Sequence, residues 1–442
     1  MDAVDRSPVA TPRKLCDTLD AIARGLLYLA VIVSMTTPRL ELGALHVNPG
    51  DVIALSAWTC WFGSWAAAPA RVMTVRGALW PSVLLAVGGL SAFVSLDTGA
   101  VVIGAIELMV LWVLPAVAVP NLLSRPSDVD QFLLSISVGS CIAGVANTIQ
   151  ALKVGSAGGL PQVWGAAQYL QGYFQVLGLV IALCGLIISV ASRRVARALF
   201  CILAGAVNAF ALLLTETRGA WFCAAAAFIV MGVAWRRRVL VGGIGALIVV
   251  MLVLWNADWA EEIRQRIQSM FTLEAGLSGF ESSLGRLALA VTAWRIFIAN
   301  PLLGIGLKNF AIAMPLYAPT GMPLAYEMGP NHVLTAVEGP HSTYLSLLAE
   351  VGVFGLIAFL WWEGEGLLRT VRQVRLDRLS DASELGRTAV VLAGLTVVAI
   401  FNCFFEMNQT GTLVFVALLA IPYRLLPSVR DTLRDGGRSW IR

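Results

Sequence analysis

The sequence predicts an all-α integral membrane protein with about twelve transmembrane helices and one long loop on a single face. Three observations carry this. Of 442 residues, 58% are hydrophobic and only 13% charged, where a soluble chain carries about 25% charged residues. Mean hydropathy is +0.79. The apolar residues come in blocks near the ~20 residues that cross a bilayer as a helix, without the alternation that barrel strands require.

Taken in order, a tail with Arg6, Arg13 and Lys14 precedes apolar runs at 20–36, 51–68, 77–95, 100–122, 131–152, 169–192, 199–216, 219–235 and 239–256. These are the first nine spans, filling 1–256. Residues 257–341 form the loop domain, with short helices. Runs at 342–362, 388–406 and 412–427 complete the spans within 342–442, which ends in a basic tail. About twenty residues precede the first run, with no small-residue cleavage site after it, so no cleaved signal peptide is expected.

The basic residues test this count, because lysine and arginine concentrate in cytoplasmic loops. With both termini inside, the inner segments collect most of the 31 Lys+Arg, among them Arg193, Arg194 and Arg197, and Arg236 to Arg238. The outer face keeps only Arg39, Lys153, Arg218, Arg264, Arg266, Arg286, Arg295 and Lys308. One span more or fewer would invert the later half and destroy the asymmetry. The basic, helix-compatible segment 363–387 and the similar tail 428–442 read as solvated at the inner headgroups.

Each outer cation can then be weighed. Arg218 lies in Thr215-Glu216-Thr217-Arg218-Gly219-Ala220-Trp221, a junction of two apolar runs with almost no loop. That puts it at the outer interface, either paired with Glu216 or facing a cavity as an anion ligand. Arg286 follows Ser282-Ser283-Leu284-Gly285 and is expected to open an apolar helix from Leu287 to Ala299. A cation there opposes the helix dipole, unless it and the free amides hold an anion together. Lys308 follows Gly304 and Gly306, which would let backbone approach a ligand, although a turn also explains them. Arg295 reads as a residue on a polar helix face.

Three histidines exist, His46, His332 and His341. His341 follows Gly339-Pro340 and stands at the mouth of the tenth run. Histidine exchanges a proton near neutral pH, so this position suits a general base as well as an ordinary polar cap. His332, in a Gly/Pro-rich stretch, and His46, in a short outer loop, are poorer candidates.

The seven cysteines lie in the tail or in apolar runs and form no CxxC pair, so no disulfide framework or zinc site is expected. The sequence contains no GxxxxGK, HExxH or GxSxG. Arginines and a histidine without a metal motif point to an anionic, phosphate-bearing substrate met at the outer face.

In this combination the chain resembles the bacterial O-antigen ligases and the related O-antigen polymerases. The residues that carry the resemblance are Thr217-Arg218-Gly219-Ala220-Trp221, Gly285-Arg286, Pro301-Leu302-Leu303-Gly304-Ile305-Gly306 through Phe310, and His341 with Tyr344-Leu345, Ala349-Glu350 and Gly352. Ser342 departs from the Asn or Asp that many relatives carry after the histidine.

The resemblance implies a metal-independent, inverting glycosyltransferase of the inner membrane, needing no cofactor, with its site at the periplasmic face. The donor would be a glycan on undecaprenyl pyrophosphate. The acceptor would be a sugar hydroxyl of lipid A–core, and the other partners membrane lipids, with no nucleic acid. By position, Arg218 and Arg286 would bind the pyrophosphate and stabilise leaving-group charge, with Lys308 as a further pyrophosphate contact. His341 would take the acceptor's proton. An O-antigen polymerase and a protein O-oligosaccharyltransferase share the same donor and stay open. A lipid or glycan transporter, the alternative of another class, should bury charges at mid-membrane; here Glu107, Glu350 and Glu406 are the main acidic residues within apolar runs.

Overall fold

The computed structural model describes residues 12–37, 40–42, 45–68, 73–154, 168–215, 217–234, 241, 245, 277–319, 326–328, 334–336, 339–377, 384–405 and 412–425. The first helix, α1, spans Pro12–Thr36. Next, α2 spans Pro49–Ala67 and opens on the Asn48 side chain, which accepts the Gly50 N–H, with Pro49 in the first turn. A Cβ on Gly50 would stand 2.0 Å from Ser34 Oγ, so α1 and α2 cross at contact distance.

There follow α3 (Leu79–Leu90), α4 (Thr98–Leu108) and α5 (Leu114–Leu122). A π-helical turn, Met109–Val113, joins α4 to α5 ahead of Pro115, which has no N–H to give. Then come α6 (Pro126–Val154), α7 (Gln168–Ala191), α8 (Val195–Leu214) and α9 (Arg218–Ala234). Small residues let three of these meet: a Cβ on Gly178 of α7 would lie 2.2 Å from Ser140 Oγ on α6 and 2.4 Å from Asn208 Oδ1 on α8.

After position 276 the described chain resumes with α10 (Leu277–Ala299) and α11 (Phe310–Tyr317), then α12 (Thr343–Glu350), α13 (Gly352–Asp377), α14 (Glu384–Phe405), α15 (Thr412–Ala420) and α16 (Pro422–Leu425). The central core joins helices from both halves of the chain, with Trp112 against Phe359 and Trp362, and Phe174 stacked on Phe415. A second, smaller core gathers Leu289, Ala293 and Ile296 of α10 with Ile305, Phe310, Met314 and Ala349.

Six segments among the described residues are long and apolar enough to cross a membrane: Lys14–Thr36, Arg76–Val94, Thr98–Leu122, Pro126–Gln150, Gln171–Val190 and Val195–Leu214. They coincide with six of the expected runs. Outward faces rich in exposed Leu, Ile, Val and Phe, such as Leu199, Ile202 and Leu203 on α8, suit lipid. The chain is a helical, multi-pass membrane protein. The runs 219–235, 388–406 and 412–427 appear as shorter apolar helices, and 239–256 lies outside the described residues apart from 241 and 245.

The described residues are helical, as expected, apart from two short hairpins. Strands β1 (Leu40–Leu42) and β2 (Leu45–Val47) pair antiparallel with Leu40 opposite Val47, and β3 (Tyr326–Met328) pairs with β4 (Leu334–Ala336) with Tyr326 opposite Ala336. Both hairpins fall between apolar runs, where main-chain groups must find partners outside a helix. The run 342–362 is not one helix: it breaks between α12 and α13, where Gly352 has φ +75°. The described part of the segment 363–387 is helical as expected, but it is not wholly solvated. Helix α13 continues through it to Asp377, and Glu363, Arg369, Thr370 and Gln373 are buried. Arg369 pairs with Glu365 at 2.5 Å and its guanidinium lies 4.7 Å from the Tyr423 ring centre.

Candidate functional site

Helix α10 ends at Asn300-Pro301, since the residue before proline disfavours helical geometry. The turn that follows bends on positive φ at Gly304 (+66°), Gly306 (+103°) and Lys308 (+58°), and delivers Phe310 to start α11. This turn docks on the α12–α13 break through the main chain. Ile305 N–H donates to Ala349 O at 3.1 Å, Gly306 N–H to Glu350 O at 2.9 Å, and Val353 N–H to Pro301 O at 2.9 Å.

The glycines are explained by that contact. A Cβ on Gly304 would lie 2.3 Å from the Glu350 carbonyl carbon, and one on Gly352 would lie 2.3 Å from Leu302 O. A Cβ on Gly306 would lie 2.5 Å from Ser95 Cβ. Gly304 and Gly352 are thus explained by close backbone packing and Gly306 by close side-chain packing, in keeping with the turn that the sequence also allowed.

Side chains close the same knot. The Glu350 carboxylate accepts the Phe310 N–H at 3.0 Å, at the start of α11. Asn309, fully buried, accepts the Asp97 N–H at 2.7 Å and donates to Asp97 O at 3.1 Å. Asp97 in turn caps α4 through Gly99 N–H at 2.7 Å. Lys308 Nζ meets Glu107 Oε1 of α4 at 2.5 Å, with both side chains about one-third exposed. Lys308, expected as a pyrophosphate contact, thus already faces a carboxylate.

His341 immediately precedes Ser342, the residue before α12, whose carbonyl accepts the Ser346 N–H at 2.9 Å. It is partly buried and holds φ +52°. A non-glycine residue in this region carries about 1–3 kcal/mol of strain and persists where its surroundings impose it, often at functional sites. Helix α12 below it is pinned by Tyr344, whose hydroxyl lies 2.8 Å from Glu363 Oε2 of α13 and 3.2 Å from Ile400 O of α14.

Arg218 opens α9, at the end of the turn from α8. The Trp221 indole N–H reaches back to Leu212 O at 3.3 Å, and Thr215 Oγ1 donates to the same carbonyl at 2.7 Å. Ala220 packs so closely that a Cβ on Gly172 of α7 would stand 2.9 Å from it. The Thr217-Arg218-Gly219-Ala220-Trp221 run is thus a tight, stapled helix start.

Arg286 is placed differently from expectation. Helix α10 begins at Leu277, so Arg286 lies in its interior and not at its N-terminus. Ser282-Ser283-Leu284-Gly285 do not terminate the helix, because Leu284 continues the apolar pattern into Leu287 and Ala288. The free-amide argument for an anion site there falls away. It applies instead to Arg218, which does sit at a helix start.

The fold brings these elements together in part. Helix α10, bearing Arg286, packs on α12, which follows His341, and the Lys308 turn locks onto the end of α12. Helix α9, bearing Arg218, packs on α14, which packs on both α12 and α13. Arg295 donates to Tyr317 O, the last carbonyl of α11, at 3.4 Å. His46 sits in β2 opposite Glu41. His332, Arg264, Arg266 and Glu406 lie outside the described residues. Sequence reasoning missed the structural roles of Glu107, Glu350, Asn309, Tyr344 and Glu363. The first two had left a signal, as lone carboxylates inside apolar runs.

The stretch that contains Arg218, Arg286, Lys308 and His341 also has a counterpart among known families. Residues 201–360 match the family model described as O-antigen ligase. No protein of curated function matches the chain. Over residues 201–360, about a third of its length, the chain is thus similar to the O-antigen ligase family.

Proposed function

We propose that the protein is an O-antigen ligase, transferring a glycan from undecaprenyl pyrophosphate to a sugar hydroxyl of lipid A–core at the periplasmic face of the inner membrane. The observation that carries this is the family match over 201–360, which spans all four candidate residues. The docked turn and helix break support it from the far end of α12, since they fix the helix that follows His341.

In this reading His341 takes the proton of the attacking hydroxyl as its oxygen bonds to the anomeric carbon. The bond from that carbon to the pyrophosphate oxygen breaks, and configuration inverts. Arg218, at the start of α9, meets the charge that grows on the leaving pyrophosphate, helped by the helix dipole. Arg286 on α10 adds a second positive charge from the neighbouring element. Lys308 contributes through its pairing with Glu107, by holding the turn, more than by direct contact.

The test is transfer by the purified protein in detergent with EDTA, given an undecaprenyl-pyrophosphate-linked glycan and lipid A–core. Glycan-bearing lipid A–core supports the proposal and its metal independence. Longer glycans on the undecaprenyl carrier would instead mean a polymerase, and transfer only to a protein acceptor would mean an O-oligosaccharyltransferase.

A further inference from the structure

A cavity of about 600 Å3 lies between the ends of α6, α7, α8 and α14. Its lining runs from Ile181 of α7 to Ser192 just past the end of that helix, a rise of about 16 Å. That is about half of a ~30 Å hydrocarbon core, the depth of one leaflet. Leu133, Ile181 and Val391 line it beside Ser137, Ser189 and Thr388, and Arg194 and Arg197 stand at its rim with Asp130. Both arginines are exposed.

The rim lies at headgroup level. Arg194 immediately precedes α8, whose 20 residues rise about 30 Å before the turn to Arg218. Arg194 and Arg218 therefore mark opposite boundaries of the same bilayer. A leaflet-deep, partly apolar slot with a net cationic mouth suits an anionic lipid in depth and charge. We propose that this cavity binds a single anionic phospholipid, its phosphate at Arg194 and Arg197 and an acyl chain between α6 and α7. Asp130 at the same rim disfavours a second anion beside the first.

The test is native mass spectrometry of the purified full chain with phosphatidylglycerol, phosphatidylcholine of the same chains, or inorganic phosphate as probes. The expected result is preferential retention of one phosphatidylglycerol, lost by about fivefold for each arginine in Arg194→Ala and Arg197→Ala. Leu134→Trp, at an exposed wall position of the slot, should displace the lipid while both arginines remain. Equal retention of the two lipids, unchanged retention in the double arginine variant, or binding of inorganic phosphate without lipid would each overturn the proposal. If the arginine variants do not fold, unchanged lipid retention in Leu134→Trp overturns it alone.

Discussion

Glu350 and Phe310, 40 residues apart in sequence, are joined by one hydrogen bond, from the Phe310 backbone N–H to the Glu350 carboxylate at 3.0 Å. The bond fixes where α11 starts relative to where α12 ends. Removing its acceptor leaves a helix-start N–H without that partner, at a cost of about 1–3 kcal/mol. Glu350→Ala should lower the thermal unfolding midpoint in detergent and lose activity with it. Glu350→Gln keeps a carbonyl oxygen and should recover most of both. Equal loss in the two variants would mean that the charge, not the hydrogen bond, matters.

The glycine contacts make a sharper test of the docked turn. Gly304→Ala and Gly352→Ala each push a Cβ to 2.3 Å from backbone atoms at positive φ, where alanine is already disfavoured by about 1 kcal/mol. Both should reduce folded yield. Gly25→Ala, in α1 with open space around it, should be neutral or stabilising by up to about 1 kcal/mol. Size-exclusion profiles of the three variants compare them directly.

For His341 the backbone dictates the choice of variant. Alanine at φ +52° confounds strain with lost chemistry, whereas asparagine tolerates that region and has no proton-accepting ring. His341→Asn should fold and insert as wild type, with transfer lowered by at least about a hundredfold. Near-normal turnover in a folded His341→Asn would remove the general-base role.

Lys308 and Glu107 separate positioning from substrate contact. If the pair only holds the turn, Lys308→Met and Glu107→Gln should weaken the protein alike, by at most about 1 kcal/mol for so exposed a pair. Donor KM should be unchanged in both. A donor KM raised only by Lys308→Met would restore the lysine to the pyrophosphate site. Arg218→Ala is expected to raise donor KM and lower kcat, measured in the same assay.

Tyr344→Phe removes the hydroxyl that faces the buried Glu363 carboxyl at 2.8 Å. The expected cost is about 1–3 kcal/mol, read as earlier thermal unfolding.

The helical membrane fold was legible in the sequence because bilayer crossing imposes length and apolarity directly on the residues. Six segments, from Lys14–Thr36 to Val195–Leu214, lie where the hydropathy runs lie. The α12–α13 break was not legible. Val351-Gly352 sits inside an unbroken apolar run, and only its contact with Leu302 shows why the helix stops. Likewise the start of α10 was misplaced, because Gly285 reads as a breaker locally and is carried inside a helix. Candidate residues could be nominated from charge scarcity on one face, which is a one-dimensional signal. Their partners, such as Glu107 for Lys308 at a separation of 201 residues, depend on the tertiary fold.

The docking of 301–310 on 349–353 is made largely of main-chain bonds and glycine contacts. Such a joint is indifferent to most side-chain changes and intolerant of a shift in register. A chimera that imports the preceding segment from another chain, to change acceptor choice for instance, would have to carry the Glu350-Val351-Gly352 break along with the turn. Cut between them, the two halves would each arrive without the surface they fold against.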